Sequence, residues 1–342
     1  MQIDEYPLVL LVTDYRGLIP QRIMAWDGYN LRIIREVLEN SGIQVQIVGA
    51  HELRCDKLQE RNKVAAIYAS SQEPRYKQYL QDVMANLYFS GVRLYPELGH
   101  MMAHEDKAYQ AIRLTRTDIG APRSFVFGDK MQALEFARTS AYPIVGKSPD
   151  GSGSKGVYLI NTKQDAIRFV KRSMVHRSYK KGRPFIMRVI QRAIKPSPSL
   201  GLLIFQEFIP NLKGDWKILI WGNVACGAFR EIRPKDFRAS GSGRIQYIDV
   251  PEAVLEYAYQ ACVKLRLNWG SLDIGFDGSQ CYLFEYQGIH FGLTVAEKSL
   301  FFYRRVNGYW KKQVGQIQIE EQMGEIIIKD LVEQGWIEKT QR

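Results

Sequence analysis

Two acids and an amide in the segment 272–287 have the spacing of a cation site. Asp277-Gly278 is a strong turn signal with apolar residues on both sides, so the segment reads as two short strands joined by a tight turn. If Asp277 pairs with Cys281, Gly275 faces Leu283 and Asp273 faces Glu285. Side chains alternate with period two, so Glu285 and Gln287 then point the same way as Asp273. Three hard oxygen donors without His or Cys suit Mg²⁺, which is usually held by one or two carboxylates plus substrate phosphates. Taken alone, such a hairpin reads more simply as one whose acids face water. The cation reading gains from phosphate-binding parts elsewhere in the chain.

The first of those parts is Lys147, at the end of the apolar strand pattern 142–147. A Gly/Ser-rich run, 148–156, follows it, and the strand 157–160 comes next. This order is a loop inside a hairpin and does not match the strand–GxxxxGK[ST]–helix pattern. Its chemistry still suits phosphate. Gly151, Gly153 and Gly156 let backbone N–H groups approach an anion, Ser152 and Ser154 add hydroxyl donors, and Lys147 adds a point charge. The alternative is a solvated hairpin tip. A basic stretch, 176–195, reads as the solvated face of an inserted element, or as a site for an acidic substrate.

The elements that must position these groups fall into an order. The run 7–13 is continuously apolar, as in a buried parallel strand. A helix is expected over 27–40, strands over 45–48, 64–68 and 92–95, and a helix over 75–90. Strands alternating with helices give an open α/β domain across the first hundred residues. Ligands sit at strand C-termini in such sheets, so Arg16 or Arg22 could touch a substrate. One helix over 101–119 would carry Asp106-Lys107. Strands at 202–209 and from 215, a hairpin through Trp221-Gly222-Asn223, a helix over 251–265 and a closing helix over 320–334 complete the chain.

The chain has 342 residues, enough for two or three domains. Its Cys55, Cys226, Cys262 and Cys281 are scattered, as expected of reduced cytosolic thiols. An acidic start leading into a strand does not read as a signal peptide, and no apolar run approaches membrane-span length. A cytoplasmic protein without a membrane span is expected. Net charge is +11, which favours anionic partners. The basic residues are spread along the chain with no nucleic-acid motif, so a nucleotide and an acidic substrate explain the charge without DNA or RNA.

The order of the parts carries more than any one of them: Asp106-Lys107; Lys147 before a Gly/Ser loop; Gln206-Glu207-Phe208-Ile209 with Asp215 following; Asp236-Phe237-Arg238 before a second Gly/Ser loop; then Asp273 and Glu285-x-Gln287. Over roughly residues 90 to 300 this resembles the ATP-grasp superfamily, in particular the branch of ribosomal-protein glutamate ligases, lysine-biosynthesis amino-group ligases and bacterial glutathione synthetases. The resemblance implies an α/β (α+β) protein with the ATP-grasp fold. Its expected parts are an N-terminal open α/β pre-ATP-grasp domain (1–100), a central and lid subdomain (101–205) and a C-terminal antiparallel-sheet subdomain with the metal site (206–342). It further implies that Lys107 and Lys147 bind ATP phosphates, and that the loop 151–156 closes over them. Gln206, Glu207, Phe208 and Ile209 would face adenine, and Asp215 would hold the ribose. Arg238 would contact the γ-phosphate or acyl phosphate, Lys217 would meet substrate, and Asp273, Glu285 and Gln287 would hold one or two Mg²⁺, with Mn²⁺ as a substitute.

Two residues depart from the family pattern. Gln287 stands where Asn is usual, one methylene longer. Lys217 stands where Arg is usual, without the bidentate fork. His290, in a turn that is usually made of small residues, could face substrate but reads more simply as packed or solvated. The implied activity is ATP-dependent carboxylate–amine ligation through an acyl phosphate, with a small-molecule or peptide carboxylate and an amine as partners and a homo-oligomer compatible with it. Two other readings stand beside it: an ATP-grasp kinase acting on a hydroxyl of an anionic substrate, and a basic nucleic-acid-binding protein with an inactive nucleotide site.

Overall fold

The computed structural model describes residues 6–21, 27–53, 62–148, 156–174, 200–234 and 236–338. Three sheets organise them.

The first sheet is parallel, in the order β2-β1-β3-β4. It consists of β1 (Leu8–Thr13), β2 (Gln44–Gly49), β3 (Val64–Tyr68) and β4 (Arg93–Tyr95). Every side chain of β1 and β3 is buried, which is why their sequences run apolar without alternation. Helices α1 (Leu31–Glu39) and α2 (Pro74–Phe89) cover it. Asn30 caps α1 by accepting the Arg32 N–H, and Glu73 caps α2 by accepting the Tyr76 N–H.

Two short helices lead on, α3 (Leu98–Ala103) and α4 (Lys107–Leu114). The single helix expected over 101–119 is therefore broken. Glu105 takes a left-handed conformation (φ 53°), and Asp106 restarts the helix by accepting the Tyr109 N–H at 2.8 Å. The break makes Lys107 the first residue of α4.

The second sheet is antiparallel, in the order β5-β8-β6-β7. Its strands are β5 (Ser124–Asp129), β6 (Ile144–Lys147), β7 (Val157–Ile160) and β8 (Leu200–Glu207), with α5 (Lys130–Thr139) and α6 (Lys163–Ser173) packed on it.

The third sheet runs β13-β12-β9-β10-β14-β15, with β11 beside β10. Its strands are β9 (Gly214–Trp221), β10 (Val224–Glu231), β11 (Ile245–Gln246), β12 (Trp269–Phe276), β13 (Cys281–Gln287), β14 (Phe301–Val306) and β15 (Tyr309–Val314). Helices α7 (Glu252–Leu265), α8 (Thr294–Lys298) and α9 (Ile319–Glu333) accompany it. The aromatic stretch 301–303 is thus the start of a hairpin that the local pattern did not announce.

The closing helix α9 joins the first and third sheets. Its Met323, Ile327 and Leu331 share one core with Ile34 and Leu38 of α1 and with Trp221 and Trp269 of the third sheet. Gly324 permits the approach to α1, since a Cβ there would meet Val37 at 2.5 Å. Arg93 of β4 adds a two-pronged ion pair to Asp330 of α9 at 2.6 and 2.7 Å.

Candidate active site

The 272–287 segment forms the expected hairpin, but its register differs. Phe276 pairs with Cys281, Gly275 with Tyr282 and Ile274 with Leu283, so the loop is the four residues 277–280. Asp277 ties that loop by accepting the Ser279 and Gln280 N–H groups at 2.8 Å each. A bulge then absorbs the one-residue slip. Phe284 has no partner, and beyond it Asp273 faces Glu285 and Ser271 faces Gln287.

The hairpin β9–β10 brings further charge to this place. Its two-residue turn pairs Trp221 with Val224 and therefore Asp215 with Arg230. Arg230 donates from Nε and Nη2 to Asp215 at 2.6 and 2.9 Å, and its Nη2 lies 2.8 Å from Asp273 Oδ2. Lys217, opposite Asp273 across β9 and β12, donates to Ser271 Oγ at 2.6 Å and reaches Asp273 Oδ1 at 3.3 Å. Burial works against the Asp273 anion, yet Arg230 and Lys217 outweigh it and hold that carboxyl at about 2. Glu285 goes the other way, raised by burial and then by Asp273.

A cavity of about 380 Å³ opens beside these groups, within the range of small-ligand sites. Lys107, Lys147, Asp215, Arg238, Asp273 and Glu285 all line it, and so do Gln206, Glu207, Phe208 and Ile209. Lys107 comes from the N-terminus of α4, Lys147 from the end of β6, and Gln206-Glu207 from the end of β8. Burial lowers the Lys147 ammonium to about 8, with Glu285 and Asp273 opposing the shift and Lys107 adding to it. These groups therefore feel one another although they lie far apart along the chain. Of the apolar residues that line it, Phe208 meets Phe237 edge-on with centroids 6.0 Å apart, and Ile209 and Leu212 complete the set. The Gln206 amide donates to Ser124 Oγ at 2.9 Å, and Glu207 lies 3.6 Å from Arg123. Arg238 spans the opening: Asp236 grips its guanidinium at 2.6 Å and its Nη1 donates to the Val157 carbonyl at 3.2 Å.

Gln287 and Lys217 stand behind the cavity wall, next to Glu285 and Asp273 respectively. Gly156, at φ 80°, accepts the Ser148 N–H at 2.9 Å and so closes the ends of the Gly/Ser loop. Ser152, Gly153 and Ser154 lie outside the described residues, as do Arg22 and the basic stretch 176–195. Arg16 forks onto buried Asp14 at 2.5 and 2.9 Å. His290 is packed, with its ring stacked on His104 at 5.6 Å.

Arg230 is the functional-site candidate that sequence reading passed over. The signal was present: a two-residue turn at Gly222-Asn223 forces residues 215 and 230 opposite each other.

Among the described residues, no three His, Cys, Asp or Glu side chains converge on one point. A divalent cation here would rely on Asp273, Glu285, an amide and phosphate oxygens. The donor set fits that demand. Gln287 Nε2 donates to Glu285 Oε1 at 3.2 Å, while its Oε1 is buried with no partner among the described residues. An orphaned amide oxygen beside two repelling carboxylates is what a hard cation satisfies.

Among solved structures, the ATP-grasp ligase PsnB complexed with a minimal precursor is 13% identical with a TM-score of 0.52, over 95% of this chain and 98% of that one. PsnB with a phosphomimetic precursor variant, Mg and ADP is 12% identical with a TM-score of 0.50, over 95% and 98%. The RimK domain protein ATP-grasp from Sphaerobacter thermophilus DSM 20745 is 13% identical with a TM-score of 0.50, over 94% and 99%. No family model matches the sequence, and no curated protein does. Likeness at this level of identity is likeness of fold.

Proposed function

Starting from a chain with the ATP-grasp fold, we propose an ATP-dependent carboxylate–amine ligase that works through an acyl phosphate. One observation carries this reading. Lys107, Lys147, Asp273 and Glu285, from separate elements, line a single cavity that Phe208, Ile209, Leu212 and Phe237 also line. A triphosphate needs the charged groups, and a flat base needs the apolar ones.

In this reading Phe208, Ile209 and the chain around Gln206-Glu207 hold adenine, and Asp215 lies toward the ribose. Lys107 and Lys147 hold the phosphates, joined by the Gly/Ser loop with Ser152, Gly153, Ser154 and Gly156. Asp273, Glu285 and Gln287 would hold Mg²⁺, which when bound neutralises charge on the β- and γ-phosphoryl oxygens. A substrate carboxylate oxygen attacks the γ-phosphorus, the bond to the bridging oxygen breaks, and ADP leaves. The amine nitrogen then attacks the acyl carbon, the tetrahedral oxyanion collapses, and inorganic phosphate departs as the amine loses a proton. Arg238, which lines the cavity, offsets the negative charge that passes between these oxygens, while Lys217 acts from behind the wall through Asp273. No protein nucleophile is needed, so positioning and charge are the protein's contribution.

Two of the similar PsnB structures hold a minimal precursor or a variant of it. Peptide and small-molecule carboxylates are the acids to try, with amines as acceptors. The test is ADP release with Mg²⁺ across acids and amines, singly and paired. Release that requires both partners supports the ligase. Release with a hydroxyl substrate alone, with the phosphate retained on product, means a kinase.

A further inference from the structure

Asp273 is already occupied by the protein's own cations. Arg230 Nη2 is 2.8 Å from Oδ2, and Lys217 Nζ is 3.3 Å from Oδ1. The two contacts differ in kind. Lys217 is held more closely by Ser271 Oγ, at 2.6 Å. Arg230 is buried at 8% exposure and lies between two carboxylates, forked onto Asp215 and touching Asp273. A buried carboxylate without a counter-charge is costly, so a fold that places one beside Glu285 must supply a cation whenever no metal is bound.

We propose that Arg230 is the built-in counter-ion of Asp273, which a divalent cation displaces from that carboxylate while the guanidinium stays anchored on Asp215. This rests on the metal reading of Asp273 and Glu285 above. Arg230 is then a positioning residue: it holds the Asp273 carboxylate in place before loading, and it sets how tightly the ion binds. The fork to Asp215 makes the exchange local, because Nε and Nη2 keep one partner when the other turns to the metal. After the exchange, Nη2 gains donor capacity beside the cavity at the moment the cation arrives.

The test titrates Mn²⁺ by loss of its free-ion EPR signal, with the protein in excess over a non-hydrolysable ATP analogue so that no unbound analogue takes up the ion. Arg230→Gln should bind Mn²⁺ about tenfold more tightly than the parent protein, and Arg230→Lys should fall between. Without nucleotide, Arg230→Gln should melt lower than the parent, and Mg²⁺ alone should raise its melting temperature by more than it raises the parent's. Lys107→Met removes a different cavity charge, one that bears on Glu285. If it tightens Mn²⁺ as much as Arg230→Gln does, the effect is a general field and the exchange is refuted. Equal or weaker Mn²⁺ binding in folded Arg230→Gln also overturns it, and if that variant does not fold, unchanged binding in Arg230→Lys does so. Glu285→Gln separates the two readings. Mn²⁺ binding that survives this change removes the metal site and the exchange together. Binding that is lost in Glu285→Gln but unmoved at Arg230 removes the exchange alone.

Discussion

Asp273 stands opposite Glu285 because Phe284 drops out of the ladder between β12 and β13. The hairpin loop is one residue longer than a three-residue turn would make it, and without compensation every later pair would slip by one. The bulge cancels the slip at the position where two acids must meet. It also turns the Phe284 ring over Gly275 and into the wall of the cavity. Bulges re-aim side chains beside functional sites, and this one lies within the proposed metal site.

That arrangement makes Glu285 the sharpest single target. Glu285→Ala should lower ADP release by at least about a hundredfold, since even supporting groups around a metal are worth 10–100-fold. The melting temperature should hold or rise, because burial and Asp273 both oppose the Glu285 charge. Wild-type turnover in a folded variant would rule out the metal assignment.

Gly275 is constrained by the bulge. A Cβ at this position would meet the Phe284 ring at 2.7 Å and Leu212 at 3.0 Å. Both neighbours line the cavity. Gly275→Ala should cost about 1–3 kcal/mol in denaturant unfolding and weaken binding of an ATP analogue. Unaltered affinity with unaltered stability would mean that the ring moves aside freely.

Lys147 predicts a pH dependence with a definite sign. Its folded-state pKa is lowered from 10.5 to about 8. Between those values the unfolded chain binds more protons than the folded one, so the nucleotide-free protein gains stability as pH rises through that window. Nucleotide binding runs the other way. The charged ammonium attracts phosphate below about 8, and that attraction fades above it. Calorimetry of an ATP analogue from pH 6.5 to 9.5 should show affinity falling toward the alkaline end. Lys147→Met should bind more weakly at pH 6.5 and lose most of the slope. An equally steep slope in that variant would place the titrating group elsewhere.

Asp215 separates architecture from ligand contact. It is the anchor of buried Arg230, at 2.6 and 2.9 Å. Asp215→Asn should destabilise the protein by about 3 kcal/mol, the cost typical of removing one partner of a buried pair. A variant of unchanged stability that binds an ATP analogue poorly would assign Asp215 to the ribose alone.

Much of this was written locally. Parallel β1 and β3 are legible as unbroken apolar runs, and the β9–β10 hairpin follows from Trp221-Gly222-Asn223. Glu105, by contrast, breaks a helix whose apolar spacing continues past it, and nothing about a glutamate announces φ 53°. The β14–β15 hairpin escaped for a related reason. Arg304, Arg305, Lys311 and Lys312 mask its alternation, and its place is set by pairing with β10.

The order of Lys107, Lys147, Asp215, Arg238, Asp273 and Glu285 along the chain, and their residue types, were enough to nominate a phosphate-and-cation chemistry. Side-chain period and turn signals act over a few residues, so they decide which groups share a strand face. They cannot decide which strands become neighbours. That choice belongs to burial across layers: it set Asp273 against Arg230, whose place opposite Asp215 the β9–β10 turn already fixes, turned Gln287 Oε1 inward beside Glu285, and brought α4, β6 and β13 to one cavity.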